Sequence, residues 1–148
     1  MKVIFICTGN TCRSPMAEGI FKEFSRTLPN IEVSSAGLMA NNGDTVSENS
    51  VTACKELGID ISSHKAKQIT KEDLLSNDLF VCMTENHTNI LISAGISKNM
   101  IYTLNVSDPY GGNIELYREC CKEIYDKLLE LKEQLLESKN EFYNNKNE

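Results

Sequence analysis

Short apolar runs and stretches of helical periodicity alternate along this chain, which predicts strands separated by helices. Strands are predicted at residues 2–7, 32–36, 79–83 and 100–104, and the first and third of these are continuous apolar runs typical of buried strands. Helices are predicted at residues 14–28, 46–57 and 84–94 and along a last stretch that begins near residue 114. This alternation predicts a single α/β domain, with a central four-stranded parallel sheet and helices on both of its faces.

The spacing of apolar residues within the first and last helices indicates that each packs one face on the sheet. In the first helix Met16, Ile20, Phe24 and Leu28 recur every four residues. The last helix carries a stripe at alternating spacings of four and three, formed by Tyr117, Cys121, Ile124, Leu128, Leu131 and Leu135. This stripe is too short for a coiled-coil seam and predicts core packing. The domain is therefore expected to span residues 1–137, and residues 138–148 to form a polar, frayed tail.

The loop after the first strand predicts a phosphate-binding site. Its residues are Cys7, Thr8, Gly9, Asn10, Thr11, Cys12 and Arg13. Gly9 and Asn10 are the residue types that best tolerate a positive φ, Ser14 is the expected N-cap, and Pro15 suits the first helical position. Backbone N–H groups in such a loop converge on one point, and the helix N-terminus adds partial positive charge.

Cysteine and arginine in this loop predict nucleophilic chemistry on a phosphate group. Arg13 offers a planar fork that binds two phosphate oxygens, and the positive field favours the thiolate form of Cys7. A lone cysteine at a strand end would be interpreted as a buried structural residue, but the combination with the loop favours a nucleophile. The leaving group needs an acid, and Asp108 in the loop of residues 105–113 is the best candidate, with Tyr110 as an aromatic wall. From spacing alone, an ordinary turn is the favoured interpretation of Asp108.

Composition narrows the class of protein and its partners. A net charge of −6 over 148 residues disfavours nucleic-acid binding. Cys7 and Cys82 end or lie in strand-like runs, and Cys120 and Cys121 lie in a helical pattern. No pair of cysteines has zinc-ligand spacing together with histidines, and this placement favours reduced thiols, a cytoplasmic location, and neither metal nor cofactor. No segment resembles a membrane span or signal peptide, so no membrane partner is expected, and a monomer is favoured although the oligomeric state is open.

Four segments resemble the low-molecular-weight protein tyrosine phosphatases, in the same order along the chain. They are residues 7–18, 35–37, 61–70 and 108–112, so the resemblance covers nearly the whole chain apart from the tail. It implies Cys7 as the nucleophile that forms a phosphocysteine, Arg13 as the phosphate clamp, and Asp108 as general acid and then base. It also implies that Ser14 donates a hydrogen bond to the thiolate.

The resemblance further implies that Asn10 and His64 hold the loop in shape. Cys12 is close to Cys7 in sequence, and two interpretations of it stay open: a reversible disulfide with Cys7 that protects or switches the enzyme, or simple packing.

Thr11 decides the expected substrate. Many tyrosine phosphatases of this family carry an aliphatic residue there, whereas a threonine resembles the bacterial branch that acts on phosphoarginine. Its hydroxyl can hydrogen-bond a planar guanidinium, which an aliphatic group would only desolvate. The expected partners are therefore phosphorylated protein substrates, with phosphoarginine as the main prediction and phosphotyrosine as the alternative. Arsenate reduction is a distant third, because no cysteine that could pass a disulfide outward follows Cys82 before residue 104.

Overall fold

A computed structural model describes residues 1–146, with the side chains of residues 139–144 left out of the description. The four strands are β1 Lys2–Cys7, β2 Glu32–Gly37, β3 Leu79–Cys82 and β4 Ile101–Thr103. The five helices are α1 Arg13–Phe24, α2 Glu48–Glu56, α3 Lys71–Ser76, α4 Glu85–Ser93 and α5 Ile114–Lys146. Short 3₁₀ turns follow α1 and precede β4. The predicted alternation of strands and helices is confirmed.

The strands form one parallel sheet in the order β2–β1–β3–β4. β1 lies inside the sheet, so its residues are buried on both faces, which explains why this strand is a continuous apolar run. The carboxyl ends of β1 and β2 are in register, with Cys7 opposite Gly37. Because ligands bind beyond the carboxyl ends of parallel strands, this edge is where a site is expected.

The sheet divides the core into two layers, as predicted. On one face Val3 and Phe5 of β1 pack in a cluster with residues of α1, α2 and α5. On the other face Ile4 and Ile6 pack with Leu91 of α4 and lie near Leu74 of α3. Successive residues of β1 therefore contact opposite helical layers, and both layers hold the loop that follows Cys7.

The start and end of α1 differ from the prediction. Cys12 occupies the N-cap position and the helix begins at Arg13, so Ser14 is not the N-cap and Pro15 is not the first helical residue. The Ser14 hydroxyl instead contacts the Cys7 thiol. The helix ends at Phe24, and the chain tightens into a 3₁₀ turn over Ser25–Thr27 before Leu28 enters the core.

Two further helical segments depart from the prediction. The helix α3 was not predicted, and a capping box starts it: Thr70 accepts the Asp73 N–H while Asp73 accepts the Thr70 N–H. The helix α5 continues through Lys146, so the tail expected to fray from Ser138 is helical as far as Lys146. At the start of this tail, Ser138 Oγ donates to the Gln134 carbonyl. The last two residues of that tail lie outside the described residues. Within the described chain, no helix combines the length and apolarity needed to cross a membrane.

Candidate active site

The Cys7 sulfur lies at the end of β1, among groups that donate hydrogen bonds. The Asn10 backbone N–H donates to Cys7 Sγ over 3.2 Å, and Ser14 Oγ lies 2.8 Å from the same sulfur. Ser14 Oγ also accepts a hydrogen bond from Asn10 Nδ2 at 2.8 Å, and its own proton is available for donation to the sulfur. A backbone N–H and a hydroxyl thus face the one sulfur, an arrangement that suits a nucleophilic cysteine.

Asn10 connects the loop to the elements around it. It is fully buried with φ +56°, a left-handed conformation that asparagine tolerates. Its side-chain amide donates to Ser35 Oγ at 3.0 Å, and its Oδ1 accepts the Lys67 N–H at 2.9 Å. His64 Nε2 lies 3.1 Å from the Asn10 carbonyl oxygen. The structure thus brings together Asn10 and His64, the pair that the resemblance implies for holding the loop.

Gly37 at the end of β2 lies directly against the loop. A Cβ at this position would stand 2.6 Å from the Thr8 carbonyl oxygen and 3.0 Å from the Asn10 nitrogen. The Thr8 carbonyl also accepts the Met39 N–H at 2.9 Å. A side chain at Gly37 would therefore push the loop away from the segment that follows β2.

Arg13 joins the phosphate loop to the loop that follows β4. Its guanidinium is buried, Nη1 donates to the Val106 carbonyl at 3.0 Å, and Nη2 lies 3.6 Å from Asp108 Oδ2. Asp108 in turn accepts the Tyr110 N–H through Oδ1 at 3.0 Å. The residues that the sequence predicts as nucleophile, clamp and acid thus meet in one place, although they come from loops almost a hundred residues apart.

These groups line a cavity of about 250 Å³. Its lining residues are Cys7, Thr8, Gly9, Thr11, Cys12, Arg13, Asp108 and Tyr110. Tyr110, which is 81% exposed, and Thr11 both belong to this lining. The Cys12 thiol lies 3.6 Å from the Tyr117 hydroxyl, so this cysteine packs against α5, and a disulfide with Cys7 remains a prediction.

His87 is a residue near the site that the sequence did not single out. Its Nε2 lies 2.9 Å from Thr8 Oγ1, and its Nδ1 lies 3.0 Å from Thr84 Oγ1. Burial of the ring and, secondarily, the Arg13 guanidinium lower the pKa of His87 to about 4. The Thr84–His87 spacing is typical of a helix N-cap, but nothing local links His87 to Thr8, which lies 79 residues earlier. The contact exists because β1 and β3 are neighbours in the sheet.

Comparisons with known proteins agree with this geometry. The family described as "Low molecular weight phosphotyrosine protein phosphatase" matches residues 2–141. The protein-arginine-phosphatase of Bacillus subtilis is 37% identical over 88% of this chain and 94% of its own length. The low-molecular-weight protein-tyrosine-phosphatase PtpB of Staphylococcus epidermidis is 33% identical over 89% of this chain and 97% of its own length.

A solved structure of a related enzyme extends the match to the backbone. It is a YwlE arginine phosphatase, a cysteine-to-serine mutant with a phosphorylated active-site serine. It aligns with a TM-score of 0.85 and 36% identity, over 91% of this chain and 95% of that one. Fold and sequence agree over nearly the whole length of both proteins. The chain therefore belongs to the low-molecular-weight phosphotyrosine protein phosphatase family and is a cysteine-based phosphatase.

Proposed function

We propose that this enzyme removes phosphate from phosphoarginine in proteins, through a phosphocysteine formed on Cys7. The observation that carries the substrate assignment is Thr11, whose side chain belongs to the lining of the cavity that also holds Cys7 and Asp108. A related arginine phosphatase whose nucleophilic position carries serine holds phosphate on that serine, which supports covalent catalysis in this family.

In the first step the Cys7 thiolate attacks phosphorus while Arg13 and the loop N–H groups bind the non-bridging oxygens. The Asn10 N–H and the Ser14 hydroxyl stabilise the thiolate before attack. Arg13 is fixed by its bond to the Val106 carbonyl, so its fork is oriented before substrate arrives. Asp108 protonates the departing nitrogen as the nitrogen–phosphorus bond breaks.

In the second step water cleaves the phosphocysteine. Asp108, now a carboxylate, takes a proton from the attacking water, the sulfur–phosphorus bond breaks, and Cys7 returns as a thiolate with release of inorganic phosphate. Arg13 and Asp108 both border the cavity, which lets the same carboxylate act on the leaving group and on the water.

Phosphotyrosine is the second candidate substrate, and Tyr110 favours it. The exposed aromatic ring of Tyr110 can stack on a phenyl group. A relative of this chain is named a tyrosine phosphatase. The two candidates differ in what Thr11 would contact, a polar guanidinium or an aromatic ring.

Replacing Thr11 by isoleucine tests this assignment. In Thr11→Ile the cysteine, the loop N–H groups and Arg13 are retained, so phosphate is still bound. Losing a hydrogen bond to a strongly polar group costs on the order of 1.5–3 kcal/mol, and the added apolar surface favours a ring by roughly 1 kcal/mol. The ratio of kcat/KM for phosphoarginine over phosphotyrosine peptides should therefore fall by about two orders of magnitude.

The matched control is Thr11→Ser, which keeps the hydroxyl and should keep most of the preference for phosphoarginine. A wild-type enzyme that prefers phosphotyrosine, or a ratio that Thr11→Ile leaves unchanged, would contradict the phosphoarginine assignment.

A further inference from the structure

A second groove adjoins the phosphate cavity and shares three of its lining residues, Thr8, Arg13 and Asp108. This flanking groove measures about 370 Å³. Its remaining lining residues come from the segment after β2 and from the start of α4, and they are Leu38, Met39, Thr84, Asn86, His87 and Ile90. The two cavities therefore adjoin at these three residues.

The flanking groove exposes apolar side chains. Met39 is 80% exposed and Ile90 is 52% exposed, and Leu38 lies beside Met39 in the lining. Large apolar groups left in water next to a binding cavity are typical of a surface that a ligand covers. The polar atoms of Thr84 and His87 are already engaged, because they bond to each other and His87 also bonds to Thr8.

The charges around the flanking groove limit what it can bind. Arg13 and Asp108 are the charged residues of its described lining, and both also line the phosphate cavity, where they contact each other. The remaining lining residues are apolar or uncharged amide, hydroxyl and neutral imidazole groups. An acidic or basic side chain would lose its water there without gaining a partner of its own, whereas an apolar one would gain burial.

We infer that the flanking groove binds an apolar side chain directly next to the phosphorylated residue of the substrate protein. This inference rests on the proposed function, because it needs a phosphorylated polypeptide in the cavity. Consecutive Cα atoms are about 3.8 Å apart, so the residues before and after the phosphorylated one are the nearest parts of the substrate, and we expect the side chain of one of them to reach the adjoining groove. The groove would make the enzyme select among phosphorylated sites by their immediate sequence.

Peptides that differ only beside the phosphorylated residue test this inference. Leucine, serine or glutamate is placed before or after that residue, in both phosphoarginine and phosphotyrosine series. In one of the two positions, wild-type enzyme should give a kcat/KM about tenfold higher for leucine than for serine. Glutamate should be the poorest of the three.

The variant Ile90→Ser should reduce the leucine-over-serine ratio to about threefold or less, mainly through a higher KM for the leucine peptide. The matched control is Ile92→Ser, which changes the same residue type in the same helix at 40% exposure, outside the lining of the flanking groove. This control should keep the wild-type ratio. Met39→Ser and its control Leu75→Ser, at 80% and 78% exposure, repeat the comparison on other elements.

Three outcomes would overturn the role of the flanking groove. The first is a wild-type enzyme without a preference for leucine. The second is a leucine-over-serine ratio that changes as much in each control variant, Ile92→Ser and Leu75→Ser, as in its partner, Ile90→Ser or Met39→Ser. The third is a loss for the leucine peptide that appears in kcat alone. The proposed function fails separately, if wild-type enzyme prefers the phosphotyrosine series or turns over neither series. Turnover without discrimination between flanking residues rejects the flanking groove alone.

Discussion

Two of the regions of this molecule that contain cysteine have surroundings of opposite character. At the carboxyl end of β1, the Cys7 sulfur faces a backbone N–H and a hydroxyl and borders an open cavity beside Arg13. Between α2 and α5, Cys54 and Cys121 lie in the apolar core with their sulfur atoms 4.0 Å apart. Contact with the Cys121 thiol and burial raise the pKa of Cys54, so this thiol stays protonated.

The difference shows that the neighbours of a cysteine decide its chemistry, since burial alone does not separate the two regions. Cys7 and Cys54 are both almost fully buried. Cys82 makes the same point on the opposite face of the sheet from Cys7, where burial raises the pKa of its thiol to about 12. A backbone N–H and a hydroxyl at the sulfur, together with an open cavity beside Arg13, distinguish the proposed nucleophile from thiols that only fill the core.

Removing a thiol from each region should give the largest contrast in activity. Cys7→Ala should lower kcat/KM for any phosphorylated peptide by on the order of 10⁴-fold or more, because no covalent intermediate can form. Cys121→Ala should leave kcat/KM within about threefold and cost on the order of 1 kcal/mol of unfolding free energy. Steady-state kinetics and urea unfolding measure both effects, and a comparable loss of activity in the two variants would refute the assignment of Cys7.

Asp108→Asn sharpens the contrast further, because the proposed acid belongs to the Cys7 region. Free guanidinium has a pKa above about 12, so its nitrogen needs a proton to leave, whereas an activated phenol leaves without one. Cleavage of phosphoarginine should slow by about 10²- to 10⁴-fold, and cleavage of p-nitrophenyl phosphate far less.

The control for this prediction is Asp126→Asn, at an exposed aspartate of α5 that pairs with Lys122. Both substrates should be turned over at wild-type rates by this control. Equal losses on the two substrates in Asp108→Asn would mean that Asp108 positions its loop and does not transfer the proton.

The sequence predicted the sheet well, because β1 and β3 are continuous apolar runs and helical stretches separate each strand from the next. It missed α3, whose signal is the Thr70–Asp73 capping box at the start of a helix of six residues. It also placed Ser14 at the N-cap, because the local pattern could not show that the hydroxyl would contact Cys7 instead.

Site residues that are contiguous in sequence could be predicted, whereas those that only the fold brings together could not be assigned from local patterns. The loop from Cys7 to Arg13 is contiguous and could be interpreted by itself. Asp108 could be assigned only through the family resemblance, since spacing alone left an ordinary turn open. The contact of His87 with Thr8 could not be predicted at all, because it depends on which strands are neighbours in the sheet.

The smallest expected effect that separates the two regions is a dependence of the unfolding free energy on pH, which His87 should cause. Its pKa is lowered to about 4 by burial and by Arg13, with Asp108 acting in the opposite direction, whereas an unfolded histidine titrates near 6.5. Between about pH 6.5 and 4 the unfolded chain therefore binds the proton that the folded chain does not, and acid favours unfolding. Titration of His87 should remove on the order of 2–3 kcal/mol of unfolding free energy across that window and nothing further below it.

Urea unfolding at several pH values measures this effect. The variant His87→Gln should lose that part of the dependence of unfolding free energy on pH. Cys54→Ala should keep the wild-type dependence, because its thiol does not titrate in that window. Parallel slopes in wild type and His87→Gln would show that the imidazole does not couple the phosphate loop to acid.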